Sequence, residues 1–356
     1  MENLVSRLPD PGFWSGRRVL LTGHTGFKGS WLAFWLLEMG AQVSGLALPP
    51  DTTPSLFDQL DLAGRVDHAA GDIRDPGLVA ARVDAVRPEI VLHLAAQPLV
   101  LRGYRDPLET FATNVMGTAH LLDALRGAEG PVAMVCVTTD KVYENREWVH
   151  AYREPDRLGG HDPYSASKAA SELVIDSYRR SYFAGGPVRI ASARAGNVIG
   201  GGDWAENRIL PDLSRAWGHG ETLGLRNPHA IRPWQHVLDP LAGYLVLAET
   251  LWRGAPEAEG AFNFGPDPAD QRSVGDLVQA AQALWPGRWR DDSVANAPHE
   301  AGRLGLTTDK ARALLGWAPR WDFDTGLRRT VEWYRAHHAG ADLRETTRAQ
   351  IGAFAS

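Results

Sequence analysis

The chain has 356 residues, of which 44% are hydrophobic and 22% are charged, and its formal net charge is −6 at pH 7. This composition is ordinary for a globular enzyme and gives no sign of disorder. A nucleic-acid-binding protein normally carries a basic stripe, and the acidic balance argues against that class. No stretch approaches the roughly 20 apolar residues of a membrane span, and no signal segment is visible. We therefore expect a cytoplasmic protein that binds neither nucleic acid nor membrane.

Cys136 is the single cysteine of the chain. One thiol cannot form an intramolecular disulfide or a cysteine-rich metal site. It lies within the apolar run at 132–137, which favours a buried core thiol over a nucleophile. No metal site is predicted.

Residues 14–200 alternate short apolar runs with helical stretches. Strands are predicted at 17–22, 42–48, 67–71, 90–94, 132–138 and 188–193, and helices at 27–39, 108–126 and 163–183. Nearly continuous apolar strands separated by helices are typical of a parallel sheet that is covered on both faces. We therefore predict an α/β fold with a Rossmann-type, doubly wound parallel sheet in this region.

Within this region, Gly23, Gly26 and Gly29 form the pattern G-x-x-G-x-x-G between the first strand and the first helix. The first glycine permits a tight turn, the second lets the backbone approach a pyrophosphate, and the third allows close helix–strand packing. The helix N-terminus adds free N–H groups and a partial positive charge. The loop predicts a dinucleotide site, whose cofactor-binding residues are Gly23, His24, Thr25, Gly26, Phe27, Lys28 and Gly29.

His24 and Lys28 place potential positive charge where small residues would suffice. Direct contact with phosphate is one interpretation, and a solvated Lys28 is the other. No acid ends the second strand to bind ribose hydroxyls, and no Arg stands there for a 2′-phosphate, so NAD is favoured on balance. Asp72, after the third strand, is a candidate partner for the adenine amino group.

Polar side chains follow the fifth strand. Thr139, Asp140 and Lys141 lie at its carboxyl end, where ligands of open α/β sheets bind. Thr139 could bond the reacting hydroxyl, Asp140 could protonate a leaving group, and Lys141 could act on the adjacent carbon. A simple capping turn is the alternative interpretation of this string.

Tyr164 and Lys168 form a Y-x-x-x-K pair behind Asp162 and Pro163, which suit the start of a helix. Residues four apart share one helix face. A tyrosine with a pKa near 10 is a poor base. We expect the Lys168 ammonium and a nicotinamide charge to lower that pKa, so that the phenolate can deprotonate a sugar hydroxyl.

Beyond residue 200 the chain is richer in Pro and Trp. Helices are predicted at 209–217, 240–252, 274–284, 308–315 and 325–337. We expect residues 201–340 to form a smaller, mixed α/β substrate-binding lobe over the carboxyl edge of the sheet, with some segments returning to the Rossmann domain.

Five strings together resemble the extended short-chain dehydrogenase/reductase family: residues 23–29, 93–97, 114–118, the Tyr164/Lys168 pair and 194–198. Narrower strings at 23–31, 138–145, 158–164 and 200–204 resemble the CDP-glucose 4,6-dehydratases of that family. The similarity runs from about Trp14 to Tyr334. It implies NAD as cofactor, CDP-glucose as substrate and, as further cofactor-binding residues, Ile73, Leu94, Ala95, Ala96 and Asn114, with Tyr164 and Lys168.

The resemblance also implies a reaction. Tyr164 takes the carbon 4 hydroxyl proton while hydride leaves for NAD; a base then removes the carbon 5 proton while Asp140 protonates the departing carbon 6 hydroxyl; hydride finally returns to carbon 6. Most sugar-nucleotide dehydratases use a Glu as the carbon 5 base, and Lys141 stands there in this chain. Lys141 is either that base, its pKa depressed by burial, or a cation that stabilises the enolate.

The predicted substrate-binding residues are Gln97, Asn197, Arg208, Arg232 and Glu300. Asn197 is expected at the diphosphate or sugar, and the two arginines at the diphosphate. For Arg208 a surface ion pair is an equal alternative. Glu300 is expected at the nucleotide ribose, although Gly302 stands where the group usually has His.

Rival hypotheses are a sugar-nucleotide 4-epimerase, a dehydratase for another nucleotide, and a non-catalytic dinucleotide sensor. An epimerase needs no acid at carbon 6, and a sensor would have lost Tyr164 or Lys168. Helices 108–126 and 163–183 carry more apolar residues than one sheet face can cover, so a homodimer is expected.

Overall fold

The computed structural model describes residues 6–293 and 304–356. The first half of the chain contains helices α1 to α8 and strands β1 to β7. In chain order these are α1 (Pro11–Trp14), β1 (Arg18–Thr22), α2 (Phe27–Glu38), β2 (Gln42–Ala47), α3 (Leu56–Gln59), β3 (Asp67–Ala70), α4 (Pro76–Val86), β4 (Ile90–His93), α5 (Val100–Arg105), α6 (Pro107–Phe111), α7 (Gly117–Ala124), β5 (Val132–Val137), α8 (Pro163–Ser181), β6 (Val188–Ala195) and β7 (Val198–Ile199).

The second half contains helices α9 to α14 and strands β8 to β13. In chain order these are α9 (Ile209–Gly218), β8 (Thr222–Leu225), β9 (Ile231–Pro233), β10 (Gln235–His236), α10 (Leu238–Trp252), β11 (Gly260–Phe264), β12 (Gln271–Ser273), α11 (Val274–Leu284), β13 (Arg288–Asp291), α12 (Asp309–Leu315), α13 (Phe323–His338) and α14 (Leu343–Ala355).

Seven parallel strands form the central sheet, in the order β11-β6-β5-β4-β1-β2-β3. This is the Rossmann strand order with one added edge strand, so the predicted fold class is confirmed. The register pairs Thr22 with His93 and His93 with Cys136, so the carboxyl ends of β1, β4 and β5 meet at one edge. Ligands of such sheets bind at that edge, beside the reversal of strand order.

Alternate side chains of each strand pack on opposite faces of the sheet. On β1, Leu21 packs with α2 and α10 in the larger core, and Leu20 packs with α4, α7 and α8 in the smaller one. Cys136 belongs to the smaller core, and burial raises the pKa of its thiol. The prediction of an inert core thiol is confirmed.

One helix differs from the sequence-based expectation, and one strand of the central sheet was not among the predicted strands. The predicted helix at 108–126 contains a π-helical turn at Ala112–Met116 and ends in a 3₁₀ turn at Leu125–Gly127. β11, from beyond residue 200, pairs with β6 as the seventh strand of the central sheet. The proposed boundary at residue 200 thus stays a prediction, and at least one later segment returns to the Rossmann sheet.

Among residues 6–293 and 304–356, no helix combines the length and apolar character that a membrane crossing requires. The same residues include no cluster of three or more His, Cys, Asp or Glu side chains arranged to hold a metal ion.

Candidate active site

The loop between β1 and α2 leaves no room for side chains at two of its glycines. Gly23 has a positive φ of 74°, and a Cβ there would lie 2.6 Å from the Ala95 nitrogen. A Cβ on Gly29 would lie 2.1 Å from the Gly23 oxygen. At Gly26 the nearest atom to an added Cβ would be 3.5 Å away, so this side of the loop is open. The crowding places the helix directly against the turn, as the fingerprint requires.

The N-terminus of α2 faces that open side. Gly26 is its N-cap and provides no side chain to accept from the first turn, and the first main-chain N–H bonded back to the cap is that of Ser30. The three preceding N–H groups are those that a helix leaves for an outside acceptor. Together with the helix dipole they form a site that fits a diphosphate.

His24 does not face this site. Its side chain is buried, its Nε2 lies 2.7 Å from Nδ1 of His68, and its ring packs edge-on against Phe57. A Cβ on Gly45 would clash with the same ring at 2.3 Å. Burial lowers the pKa of His24 to about 4. The His24 side chain thus lies away from the N-terminus of α2, and its ring packs behind the loop, between β2 and α3.

Lys28 lies in the catalytic cleft. Burial lowers the pKa of Lys28 to about 8; the Arg208 charge acts in the same direction, and the Asp140 carboxylate opposes it. Arg208 donates to Asp203 at 2.8 Å and also faces Tyr164. Arg208 is thus paired with Asp203, and Lys28 is half-buried near both residues. Asp203, which sequence reasoning passed over, is buried at the end of the Gly200–Gly202 turn.

The loop after β4 is held by Asn114. Its Oδ1 accepts from the Gln97 main-chain N–H at 2.8 Å, and its Nδ2 donates to the Gln97 carbonyl and to Ser167 Oγ. The Gln97 side chain bonds Thr110 and the Leu99 N–H. Asn114 therefore ties the loop 94–97 to α8, and the Gln97 side chain ties it to α6; both amide side chains are held by protein groups.

The remaining predicted cofactor residues line the other side of the sheet edge. Leu94, Ala95 and Ala96 are half-buried, and the Ala95 N–H donates to Thr22. Ile73 is buried. Asp72 accepts hydrogen bonds from the side chain and the main-chain N–H of Arg74, and its pKa is held below the ordinary value by these contacts. Asp72, the predicted partner of the adenine amino group, is therefore paired with the Arg74 guanidinium in this structure.

Tyr164 and Lys168 lie one turn apart on α8, and both are buried. Asp162 caps this helix by accepting from the Ser165 N–H at 3.0 Å. Burial raises the pKa of Tyr164 to about 12, opposite to the expected direction, while Thr139 and Arg208 favour the phenolate. Burial lowers the pKa of Lys168 to about 8, and its Nζ donates to the Val137 carbonyl at 3.2 Å.

Asp140, Lys141 and Val142 form a 3₁₀ turn just after β5, and Thr139 is its N-cap. The capping role and the catalytic role are compatible, because Thr139 Oγ1 accepts from the Lys141 N–H at 3.3 Å and donates to Asp140 Oδ1 at 3.0 Å. Burial raises the pKa of Asp140, opposed by the nearby charges of Lys141, Arg232 and Lys28. A buried carboxyl with a raised pKa is suited to donate a proton.

Two further predicted substrate residues, Asn197 and Arg232, lie in the described part of the chain. Asn197 is half-buried, and its carbonyl accepts from the Gln235 N–H at 3.1 Å. Arg232 is buried on β9, near enough to Asp140 to influence its pKa. Glu300 lies outside the described residues. The cleft thus collects the cationic side chains Lys28, Lys141, Lys168, Arg208 and Arg232 around Asp140 and Asp203.

A dinucleotide loop, a Tyr–Lys pair and a buried acid at one sheet edge match a known enzyme family. The profile of the family described as GDP-mannose 4,6 dehydratase matches residues 20–252. This chain belongs to that family.

Curated relatives support the assignment. The chain is 47% identical over 98% of its length to a CDP-glucose 4,6-dehydratase of Salmonella typhimurium, 98% of which is covered. It is 33% identical over 90% of its length to a dTDP-glucose 4,6-dehydratase of Streptomyces antibioticus, 93% of which is covered. Among solved structures, the dTDP-glucose 4,6-dehydratase DesIV of Streptomyces venezuelae, with NAD bound, superposes with a TM-score of 0.77 at 27% identity, over 91% of this chain and 98% of DesIV.

Proposed function

We propose that this chain is an NAD-dependent CDP-glucose 4,6-dehydratase, which converts CDP-glucose to CDP-4-keto-6-deoxyglucose and water. The observation that carries the proposal is the buried carboxyl of Asp140, with its raised pKa, in the same cleft as Tyr164. A site with an oxidation residue and a separate buried acid suits a reaction that both oxidises and eliminates.

NAD, when bound, takes up hydride from carbon 4 and returns it at carbon 6. Tyr164, lying near the Thr139 hydroxyl, accepts the carbon 4 hydroxyl proton. Asp140 gives its proton to the carbon 6 hydroxyl, which leaves as water. Lys141 faces Asp140 and either removes the carbon 5 proton or stabilises the enolate that follows.

The chain has a binding site for each phosphate-bearing ligand. The crowded glycine turn and the open N-terminus of α2 fit the NAD diphosphate. Arg208 and Arg232, from beyond residue 200, supply positive charge for the substrate diphosphate. The choice of CDP over other nucleotides is supported by the 47% identical relative, which is described as a CDP-glucose 4,6-dehydratase.

A sugar-nucleotide 4-epimerase, the rival within the family fold, oxidises carbon 4 and reduces it again. It has no carbon 6 leaving group and therefore no use for a protonated acid. The buried Thr139–Asp140–Lys141 turn thus favours the dehydratase.

The proposal is tested by incubating the purified protein and NAD with CDP-, dTDP-, UDP- and GDP-glucose in parallel. We expect a product lighter by one water from CDP-glucose, detected by mass spectrometry and by the 4-keto chromophore in alkali. With deuterium at carbon 4 of the substrate, the label should appear at carbon 6. An isobaric product epimerised at carbon 4 would instead support the epimerase.

We further propose that the chain works as a homodimer through α6, α7 and α8. Large apolar side chains are exposed on these helices: Leu108 is 83%, Leu173 is 63% and Met116, in the π-helical turn, is 50% exposed. α8 packs against both α6 and α7, and we propose that these exposed side chains together form one apolar face. Such a patch on a soluble enzyme usually marks an interface.

A further inference from the structure

The catalytic turn is anchored at both ends by one buried ion pair. Before the turn, Thr138 Oγ1 donates to Glu172 Oε1 at 2.6 Å. After the turn, the Tyr143 hydroxyl accepts from Arg194 Nη1 at 2.8 Å. Glu172 and Arg194 are bonded to each other through two contacts of 2.9 Å. The residues between the two anchors are Thr139, Asp140, Lys141 and Val142.

This ion pair is enclosed by protein. Both side chains are 4% exposed, and the second carboxylate oxygen of Glu172 also accepts from Ser192 at 2.7 Å. Burial alone would raise the pKa of Glu172, but Arg194 and these hydroxyl donors hold it below the ordinary value. A buried ion pair contributes little net stability compared with apolar packing. Its presence beneath the active site therefore calls for another reason.

The network continues from Tyr143 to the edge of the sheet. The Tyr143 hydroxyl donates to Asn263 Oδ1 on β11 at 2.7 Å, and Asn263 Nδ2 donates to the Tyr152 carbonyl at 3.0 Å. The Tyr143 ring stacks on Tyr152, with centroids 5.0 Å apart, and lies beneath the Arg194 guanidinium. The ring that follows the catalytic turn is thus held on both faces and at its hydroxyl.

Glu172 links the network to the oxidation residues. It lies on α8 four residues after Lys168 and eight after Tyr164, so the three side chains share one face of the helix. Its carboxylate also raises the pKa of Lys168 against the effect of burial. The Glu172–Arg194 pair therefore ties the helix that carries Tyr164 to the turn that carries Asp140.

We propose that Glu172, Arg194 and Tyr143 are positioning residues that set the placement of Asp140 and Lys141 relative to Tyr164. This inference rests on the proposed dehydratase function. Oxidation depends mainly on Tyr164 and Lys168 of α8, with Thr139 beside Tyr164. Elimination depends on Asp140 and Lys141, further along the turn, which must meet carbons 5 and 6 of the same sugar. A misplacement of about 1 Å can cost 10²-fold in rate, so loosening the turn slows elimination more than oxidation.

Tyr143→Phe tests this directly, because it keeps the stacked ring and removes the hydroxyl that bonds Arg194 and Asn263. We expect elimination to slow by at least about 10-fold while carbon 4 oxidation changes little. When the holoenzyme of this variant is mixed rapidly with CDP-glucose, NADH should therefore accumulate to a higher level than in the unaltered enzyme. Tyr178→Phe is the matched control, since its hydroxyl lies on the exposed side of α8 near Asp123 and should not alter the partition.

A second pair keeps the test decisive if Tyr143→Phe folds poorly. Thr138→Val removes the donor to Glu172 and should accumulate NADH, and Thr138→Ser keeps the hydroxyl and should restore the normal partition. Glu172→Gln should in addition shift the pH profile of oxidation to lower pH, because the pKa of Lys168 loses the support of that carboxylate. A merely structural role would reduce both half-reactions together.

Two failures are distinguishable in this experiment. If the unaltered protein forms no dehydrated product from any sugar nucleotide, the proposed function is wrong. The other outcome is that the unaltered protein forms product, and that Tyr143→Phe and Thr138→Val are folded and give the same ratio of NADH to product as the unaltered protein. In that case the positioning role is wrong.

Discussion

The Thr139 hydroxyl donates to Oδ1 of Asp140 at 3.0 Å, while Oδ2 of the same carboxyl is buried and has no hydrogen-bond partner within residues 6–293 and 304–356. A buried oxygen without a hydrogen bond lowers the stability of a folded protein, and it often occurs where a ligand makes the missing hydrogen bond. One oxygen of Asp140 is thus oriented by the protein and the other is available to a substrate hydroxyl.

The first prediction separates oxidation from elimination at this carboxyl. Asp140→Asn keeps the shape but has no acidic proton, so hydride should still leave carbon 4 while loss of the carbon 6 hydroxyl slows by about 10²–10⁴-fold. NADH absorbance should accumulate with CDP-glucose. Tyr164→Phe should block the first step and show no NADH. Normal turnover by Asp140→Asn, or NADH accumulation in Tyr164→Phe, would contradict these roles.

The second prediction concerns the dinucleotide loop. Gly29→Ala places a methyl group 2.1 Å from the Gly23 carbonyl, so the turn must move away from the helix start that binds the diphosphate. We expect NAD affinity to fall by at least about 10-fold, since a single lost contact of 1.4 kcal/mol already has that effect. Fluorescence titration with NAD measures it. Gly127→Ala, where an added Cβ meets nothing within 4 Å, should bind NAD normally.

Sequence pattern predicted the sheet and the site because both depend on local signals. The apolar runs marked six of the seven strands of the central sheet, and the glycine loop, the Thr139–Lys141 turn and the Tyr164 helix all follow such strands. β11 escaped because Gly260–Phe264 lies far along the chain from β6, its neighbour in the described part of the sheet. Pairing between such distant segments leaves no local trace.

The sequence also could not predict the orientation of a buried side chain or the effect of burial on its pKa. His24 stands inside the binding loop by sequence, yet Gly45 on the neighbouring strand leaves a gap that its ring fills. Tyr164 was expected to have a lowered pKa, but burial outweighs the Thr139 hydrogen bond and the Arg208 charge, which lower it. Both outcomes depend on which strands and helices enclose the residue. The string Gly200–Asp203 could have pointed to Asp203, because it places an acid directly after a glycine turn. In the structure this acid pairs with Arg208.

The third prediction is a loss of stability in acid that arises from buried neutral histidines. Burial lowers the pKa of His236 from 6.5 to about 3. Between these values the unfolded chain binds the proton and the folded chain does not, so stability falls as pH drops, by about 1.4 kcal/mol per pH unit. In urea unfolding between pH 6 and 4, His236→Gln should show a slope smaller by that amount. His150→Gln, at an exposed imidazole, should keep the slope of the unaltered protein, and equal slopes for all three would contradict the prediction.

The last prediction concerns the apolar face on α6, α7 and α8. Leu173 is 63% exposed in the middle of α8. In a two-fold dimer the same patch of each subunit forms the interface, so one substitution places a buried charge on both subunits. Leu173→Glu should therefore convert a dimer into a monomer of 38.9 kDa, measured by light scattering at micromolar concentration. Leu314→Glu is the matched control, because Leu314 is also exposed, at 41%, but lies on α12. A monomeric unaltered protein, or dimers that survive Leu173→Glu, would show that this face is not the interface.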